Sequence, residues 1–342
     1  MLSRLYGAIT NWRNSLYETG VFQSRSLGVK TISVGNITVG GTGKTPMVAF
    51  IAGALAENGE RVGILTRGYG RKNPRSRVLV SDGEKILADA RQAGDEPFEL
   101  AAKLLGKAII VADANRATAG DWAREKFGIT AFVLDDAFQH RRVRRDLDIV
   151  LLDATNPFGS GKCLPTGILR EPLENLKRAD AIVITRANLA ENITNLKSQI
   201  KKYNPHCPIF VTKNKVSRLT ALNQFPASIT PKIKESTNRE QRTTNNYLAF
   251  CALGNPANFF EMLRQEAFDL TTTETFPDHH FYTQDDIEKL SRKAERSGAS
   301  VLLTTAKDAV KLRDLKFDIP CLVVESEMIF DDEAAFRKML LK

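Results

Sequence analysis

TISVGNITVGGTGKT, residues Thr31–Thr45, is the stretch that decides the fold of this 342-residue chain. Its first residues, Thr31–Gly35, form a short run rich in β-branched side chains, which predicts a buried strand. The glycine-rich segment that follows leads into a helical pattern over Pro46–Glu57. A strand, a glycine-rich loop, Lys-Thr and a helix in this order predict a P-loop that binds a nucleotide. The alternative is a glycine-rich turn before an ordinary helix.

The loop supplies the chemistry of phosphate binding. Glycines let backbone N–H groups close around phosphate oxygens, and the helix N-terminus adds a partial positive charge. We expect Lys44 to reach the β- and γ-phosphates and the Thr45 hydroxyl to bind Mg²⁺. Thr38 stands where such loops usually have their first glycine. The predicted nucleotide-binding residues of the loop are Thr38, Val39, Gly40, Gly41, Thr42, Gly43, Lys44 and Thr45.

Length and composition are typical of a globular protein of two domains, with 42% apolar and 26% charged residues. The net charge of +9 favours an anionic partner, such as nucleic acid, a phosphorylated substrate or an acidic lipid surface. General solubility is the alternative explanation of that charge. The four cysteines are scattered, which favours a reducing compartment and argues against a structural zinc site. No run approaches the ~18 apolar residues of a membrane span, so we expect a cytoplasmic location.

Residues 1–19 predict a helix with an apolar face. That face consists of Leu2, Leu5, Tyr6, Ile9, Trp12, Leu16 and Tyr17. Arginines lie off the stripe, at Arg4 and Arg13. Such a helix can lie flat in a membrane interface. It can equally pack on the core of the protein, and the sequence leaves both interpretations open.

Two further motifs follow predicted elements of the first domain. RGYGR, residues Arg67–Arg71, comes directly after a predicted strand. Its arginines either bind phosphate or only stabilise a tight turn. GDEP then opens a helix and places Asp95 and Glu96 in the first turn. Acidic residues there also suit the helix dipole, so a capping role is the alternative for both.

The second strong signal is AFVLDD, residues Ala131–Asp136, an apolar strand that ends in two carboxylates. Downstream of a P-loop, this pattern is typical of a Walker B element, whose Asp holds Mg²⁺ at the carboxyl edge of the sheet. We therefore predict that Asp135 and Asp136 bind the metal. Gln139 and His140 follow within reach of the same edge. The arginines after them are interpreted as a solvated face.

Apolar strands alternate with amphipathic helices along most of the chain, which predicts a P-loop NTPase-like, doubly wound, mostly parallel sheet. We expect this first domain to cover residues 1–212 and a second, smaller α/β domain to cover 213–342. The polar segment Thr230–Asn246 is predicted to be a mobile loop. In the second domain, His279 and His280 follow a predicted strand, where they are either site residues or surface residues.

The chain contains, in this order, SVGNITVGGTGKTP, LTRGYGR, GDEP, LDDAFQHRR, DLDIVLLDA, PFGSGKCLPTGILREP, FPDHHFY and TTAKDAVKL. This ordered set resembles the tetraacyldisaccharide 4'-kinases of lipid A synthesis over nearly the whole chain. The resemblance extends to Thr38 in the P-loop. It implies transfer of the γ-phosphate of ATP to the 4'-hydroxyl of a lipid-linked glucosamine disaccharide. It also implies a peripheral location at the cytoplasmic face of the bacterial inner membrane.

The resemblance also implies roles for individual residues. Asp95 is expected to be the general base, assisted by His279 from the second domain. Thr45, Asp135 and Asp136 are expected to serve Mg²⁺, with Glu96 as a further contributor. Supporting roles in the ATP site fall to Arg67, Arg71, Gln139 and His140. The expected partners are a lipid A disaccharide precursor and the anionic membrane surface, and no nucleic acid.

A partner-regulated P-loop switch ATPase is the alternative function, because such proteins also carry GGxGKT. They place a signature lysine where this chain has Val39, which argues against that class. A GTPase is disfavoured because the chain has no N-K-x-D guanine motif. Nucleic-acid binding would explain the positive charge, yet the sequence contains no recognisable nucleic-acid-binding module.

Overall fold

The computed structural model describes residues 1–225, 245–278 and 280–342, and the chain divides into two compact units. The first unit comprises Met1–Lys213 together with Ile329–Lys342, and the second comprises Asn214–Met328. This division differs from the expected domain of residues 213–342, because the C-terminal residues return to the first unit.

The helices are α1 (Leu2–Glu18), α2 (Lys44–Glu57), α3 (Ala90–Ala93), α4 (Asp95–Lys103), α5 (Arg116–Phe127), α6 (Ile193–Tyr203), α7 (Pro256–Gln265), α8 (Gln284–Ser297), α9 (Ala306–Leu312) and α10 (Glu333–Leu341). The strands are β1 (Lys30–Asn36), β2 (Val62–Thr66), β3 (Val78–Ser81), β4 (Ala108–Ala112), β5 (Ala131–Asp135), β6 (Leu147–Asp153), β7 (Ala181–Thr185), β8 (Ile209–Ala221), β9 (Asn246–Cys251), β10 (Asp269–Thr275), β11 (Val301–Thr305) and β12 (Cys321–Phe330).

The strand order of the first unit is β8-β7-β6-β1-β5-β2-β4-β3. Every neighbouring pair in this run is parallel except β3 on β4, so the predicted doubly wound, mostly parallel sheet is confirmed. Strand β1 lies between β5 and β6, and its Val34 is opposite Asp135 on one side and Ile149 on the other. The carboxyl ends of β1 and β5 are therefore adjacent, which brings the two strong sequence signals to one edge of the sheet.

The C-terminal helix α10 belongs to the first unit because its apolar residues complete the core around α2. Phe336 is fully buried and its ring lies 5.9 Å from that of Phe50 on α2 and 5.0 Å from that of Phe210 on β8. The backbones of Val211 and Asp331 are also hydrogen bonded. Aromatic rings at these distances contribute beyond the area they bury. Sequence patterning alone gave no signal for this long-range return of the chain.

The strand order of the second unit is β10-β9-β11-β12, with parallel neighbours. Its core is formed by buried side chains such as Phe250, Leu290 and Leu302. The predicted mobile segment Thr230–Asn246 lies almost entirely outside the described residues, and Asn246 begins β9. Within the described parts of the chain, none of the helices has the length and apolarity needed to cross a bilayer.

Helix α1 packs on the first unit through its small and polar side. Gly7 and Asn14 are buried, and the Asn14 amide donates to Glu171 Oε2 at 2.8 Å. Most of the apolar stripe faces outward instead, with Leu2, Leu5, Ile9 and Trp12 between 54% and 67% exposed. Of the two interpretations of this helix, packing of the stripe on the protein core is therefore wrong for these four side chains.

Candidate active site

The P-loop connects β1 to α2, and its backbone requires glycine. Gly43 immediately precedes α2 and has φ 86°, in the left-handed region that side chains disfavour. Lys44 is the first residue of α2, so its side chain starts at the positive end of the helix dipole. The local geometry is thus that of an anion-binding helix N-terminus, as the sequence predicts.

Two carboxylates mark the end of β5, beside this loop. Asp135 is 2% exposed and accepts a hydrogen bond from Thr66 Oγ1 at 2.9 Å. Burial, and then the neighbouring Asp136, raise the pKa of Asp135. Asp136 has φ 47°, a strained conformation for a residue other than glycine.

Cations from two different segments contact Asp136. Lys44 Nζ lies 3.7 Å from its Oδ1, and Arg170 NH1 lies 2.7 Å and 2.9 Å from its two carboxylate oxygens. Burial by itself would raise the pKa of Asp136, but Lys44 and Arg170 outweigh it and hold that pKa below its usual value. Asp136 is therefore ionised and positioned next to the lysine of the P-loop.

Arg170 was not predicted from the sequence as a site residue, although it lies in the PFGSGKCLPTGILREP segment. The backbone of this segment pairs with the entrance of the P-loop, where Val39 N donates to Ile168 O and Arg170 N donates to Ile37 O. Sequence reasoning also missed Thr66 and the buried Arg116, whose guanidinium donates to Asp135 O at 2.7 Å. All three contacts join residues at least 19 positions apart, so no local pattern could have revealed them.

The residues at this edge fit a magnesium ion. Asp135 Oδ1 is buried and has no hydrogen-bond partner among the described residues, and an unpaired buried carboxylate oxygen is costly without a cation. No group of three or more His, Cys, Asp and Glu side chains that could hold a metal occurs in the described part of the chain. Mg²⁺ usually takes one or two carboxylates and completes its shell with water and phosphate oxygens, which agrees with that limited set.

Asp95 and Glu96 lie in the first turn of α4, as predicted. The preceding Gly94 has φ 94°, and a Cβ there would lie 2.6 Å from Tyr69 O. Only glycine permits this close approach, which brings the start of α4 against the loop that follows β2. Because β2 is next to β5 in the sheet, the loop after β2 lies at the same sheet edge as the end of β5, and the buried Asp95 begins the helix that packs on that loop.

The two arginines of the RGYGR loop differ in their surroundings. Arg71 is buried and donates to Ala112 O and Pro74 O, both at 2.7 Å. These bonds stabilise the loop, which agrees with the alternative that the arginines of RGYGR stabilise a tight turn. Arg67 is exposed at the end of β2. The predicted contacts of both arginines with ATP remain predictions.

Gln139 and His140 follow the Asp pair but are held in different ways. The Gln139 amide donates to Asn36 O at 2.9 Å and to Glu171 Oε1 at 2.8 Å, so it joins the segment after β5 to the end of β1. His140 Nε2 is buried without a hydrogen-bond partner among the described residues. The pKa of His140 is lowered to about 3, mainly because the ring is buried. Nearby cations lower it further, and these are Arg116, Arg145, Arg142 and Arg13. His140 is therefore neutral near pH 7, and its supporting role remains a prediction.

In the second unit, the FPDHHFY segment follows β10. His280 stacks on Phe276 with ring centroids 4.9 Å apart, and its Nε2 lies 3.0 Å from Asp286 Oδ2. Lys307 of the TTAKDAVKL motif lies 3.0 Å from Asp278. His280 thus has a structural partner. His279 lies outside the described residues, so its predicted assistance to Asp95 remains a prediction.

Comparisons with known proteins identify the family of this chain. The family model described as tetraacyldisaccharide-1-P 4'-kinase matches residues 1–342. The tetraacyldisaccharide 4'-kinase of Halothermothrix orenii is 36% identical over 91% of this chain and 81% of its own length. That of Pelobacter propionicus is 37% identical over 99% of this chain and 91% of its own length. The crystal structure of Aquifex aeolicus LpxK in complex with ATP matches with a TM-score of 0.75 and 31% identity, over 99% of this chain and 96% of that one. The matches in sequence and fold thus show that the chain is a kinase and belongs to the tetraacyldisaccharide-1-P 4'-kinase family.

Proposed function

We propose that this kinase transfers the γ-phosphate of ATP to the 4'-hydroxyl of a tetraacylated glucosamine disaccharide 1-phosphate in lipid A biosynthesis. The observation that carries the proposal is the contact of Lys44 and Arg170 with Asp136 at the mouth of the P-loop. Phosphoryl transfer depends mainly on positioned phosphates and neutralised charge. The family's named substrate supplies the identity of the acceptor.

The P-loop N–H groups and Lys44 bind the phosphates in this proposal. Thr45, Asp135 and Asp136 hold Mg²⁺, and Glu96 contributes. The ion, when bound, neutralises negative charge on the phosphate oxygens. Arg170 and Lys44 keep the Asp136 carboxylate ionised and in place.

Asp95 is the proposed general base, which accepts the proton of the attacking hydroxyl. Its buried position at the start of α4, next to the loop after β2, supports this assignment. His279 is proposed to assist it, on the basis of the family resemblance. General base catalysis of this kind contributes about 10²–10⁴-fold.

The test is turnover of ATP by the purified protein with and without a lipid A disaccharide precursor. A kinase forms phosphorylated disaccharide in proportion to ADP, whereas a switch ATPase releases phosphate and leaves the disaccharide unchanged. Lys44→Ala should abolish transfer, because it removes the cation at the start of α2 that faces the phosphates. ATP hydrolysis unaffected by the acceptor would refute the proposed function.

We further propose that α1 attaches the protein peripherally to the cytoplasmic face of the bacterial inner membrane. The support is the outward-facing row of Leu2, Leu5, Ile9 and Trp12. Arg4 is exposed on the same helix, which suits an anionic surface. This placement would bring the enzyme to an acceptor that is itself held in the bilayer.

Flotation with vesicles of phosphatidylglycerol and phosphatidylethanolamine tests this attachment. Replacing Leu5, Ile9 and Trp12 with serine should release the protein from vesicles without lowering its melting temperature, because these side chains are exposed. Leu87→Ser is the matched control, since Leu87 is also an exposed apolar residue, 49% exposed, but lies far from α1 in sequence. Unchanged binding of the triple variant would contradict the proposal.

A further inference from the structure

Arg186, directly after β7, has an unusual backbone for its residue type. It has φ 56° and ψ 37°, in the left-handed region. Among the described residues other than glycine, only Asp136 and Ala267 share a positive φ. Such a conformation costs an L-residue of this kind on the order of 1 kcal/mol and usually persists where the side chain has a role.

The Arg186 side chain reaches the P-loop. Its NH1 donates to Gly41 O at 2.7 Å and also contacts the carboxylate of Asp153, the last residue of β6. The preceding residue makes a parallel contact, since Thr185 Oγ1 donates to Thr42 O at 3.0 Å. The end of β7 therefore holds two successive carbonyl groups of the phosphate-binding loop.

Fixing these carbonyls also fixes the neighbouring N–H groups. In a trans peptide the C=O and N–H bonds of one unit point in opposite directions, and the Gly41–Thr42 and Thr42–Gly43 peptides are both trans. With Gly41 O and Thr42 O directed to β7, the N–H groups of Thr42 and Gly43 are directed to the other side of the loop. A P-loop uses such N–H groups to bind phosphate oxygens.

We propose that Arg186 is a positioning residue for ATP binding, which holds the Gly41 carbonyl so that the next N–H groups face the phosphates. Asp153 keeps the guanidinium in place. The inference rests on the proposed binding of ATP phosphates by this loop. It extends the nucleotide site to a strand end that carries no phosphate-binding motif of its own.

The test measures KM for ATP and kcat at saturating acceptor, together with direct binding of a non-hydrolysable ATP analogue. Arg186→Gly suits the backbone conformation but removes the guanidinium, so the fold should be retained. A hydrogen bond from a charged group is lost, and we expect kcat/KM for ATP to fall about tenfold to hundredfold, mostly through KM. Arg186→Lys should recover part of the loss, because a single ammonium can donate to both Gly41 O and Asp153.

Two controls make the outcomes distinct. Arg337→Ala removes a half-buried arginine that pairs with Glu57 and Glu333 and should leave KM unchanged. If Lys44→Ala binds the analogue like the wild type, the assignment of the loop to phosphate binding fails. If Lys44→Ala loses binding while Arg186→Gly keeps wild-type KM, only the role of Arg186 is refuted. An equal fall in melting temperature for Arg186→Gly and Arg186→Lys, without a change in KM, would reduce Arg186 to a structural residue.

Discussion

Replacement of Glu171 tests how α1 is attached to the rest of the first unit. Glu171 is 1% exposed and accepts hydrogen bonds from Asn14 Nδ2 at 2.8 Å, Gln139 Nε2 at 2.8 Å and Arg178 NH2 at 2.9 Å. These partners come from α1, from the segment after β5 and from the turn before β7. One carboxylate thus joins three parts of the chain, and we expect Glu171→Ala to weaken all of them.

The size of the effect follows from what the substitution leaves behind. Removing one partner of a buried ion pair costs about 3–5 kcal/mol, because Arg178 remains buried without its counterion. Glu171→Gln keeps the shape and one acceptor, so we expect about 1–3 kcal/mol. A folding unit of this size loses about 2–4 °C per kcal/mol, so the alanine variant should melt on the order of 10 °C lower.

Tryptophan fluorescence follows this transition selectively, because both tryptophans, Trp12 and Trp122, lie in the first unit. Glu174→Ala is the matched control, since Glu174 is exposed one turn further along the same segment, and it should melt within about 2 °C of the wild type. If Glu171→Ala melts like this control, the three hydrogen bonds do not stabilise the unit and the reasoning is refuted.

Two further predictions concern catalysis and pH. Asp95→Asn should lower kcat about 10²–10⁴-fold with little change in KM for ATP, and His279→Ala should do the same. In steady-state kinetics, the loss of kcat in the double variant should be far smaller than the two single losses multiplied together. A loss equal to that multiplied value would show that the two residues act independently. The pKa of His140 is lowered from 6.5 to about 3 in the folded state. Between these two pH values the imidazole is therefore protonated in the unfolded chain and neutral in the folded protein. Stability should therefore fall as the pH drops from 6.5, by up to about 2 kcal/mol at pH 5 and by less where water reaches the ring. His140→Gln should reduce the difference in melting temperature between pH 7.5 and pH 5, and an unchanged difference would show that burial does not lower the pKa of His140.

The sequence by itself determined the elements whose cause is local. The β-branched run before GGTGKT forms β1, and the apolar run ending in Asp135 forms β5. Their parallel alignment follows from the general rules of alternating strands and helices. The position of Lys44 beside Asp136 was predictable for the same reason, because loops after neighbouring parallel strands meet at one sheet edge.

Only the tertiary structure decided which side chains from distant segments complete that edge. Arg170 and Arg186 carry no local pattern that indicates a contact with Asp136 or Gly41, since 34 and 145 residues separate the partners. The orientation of α1 was also undecided by sequence, because an apolar stripe has the same periodicity whether it faces a core or a bilayer. Buried Asn14 and its acceptor Glu171 fix that orientation, because a buried amide must find a hydrogen-bond partner and only the folded chain supplies one.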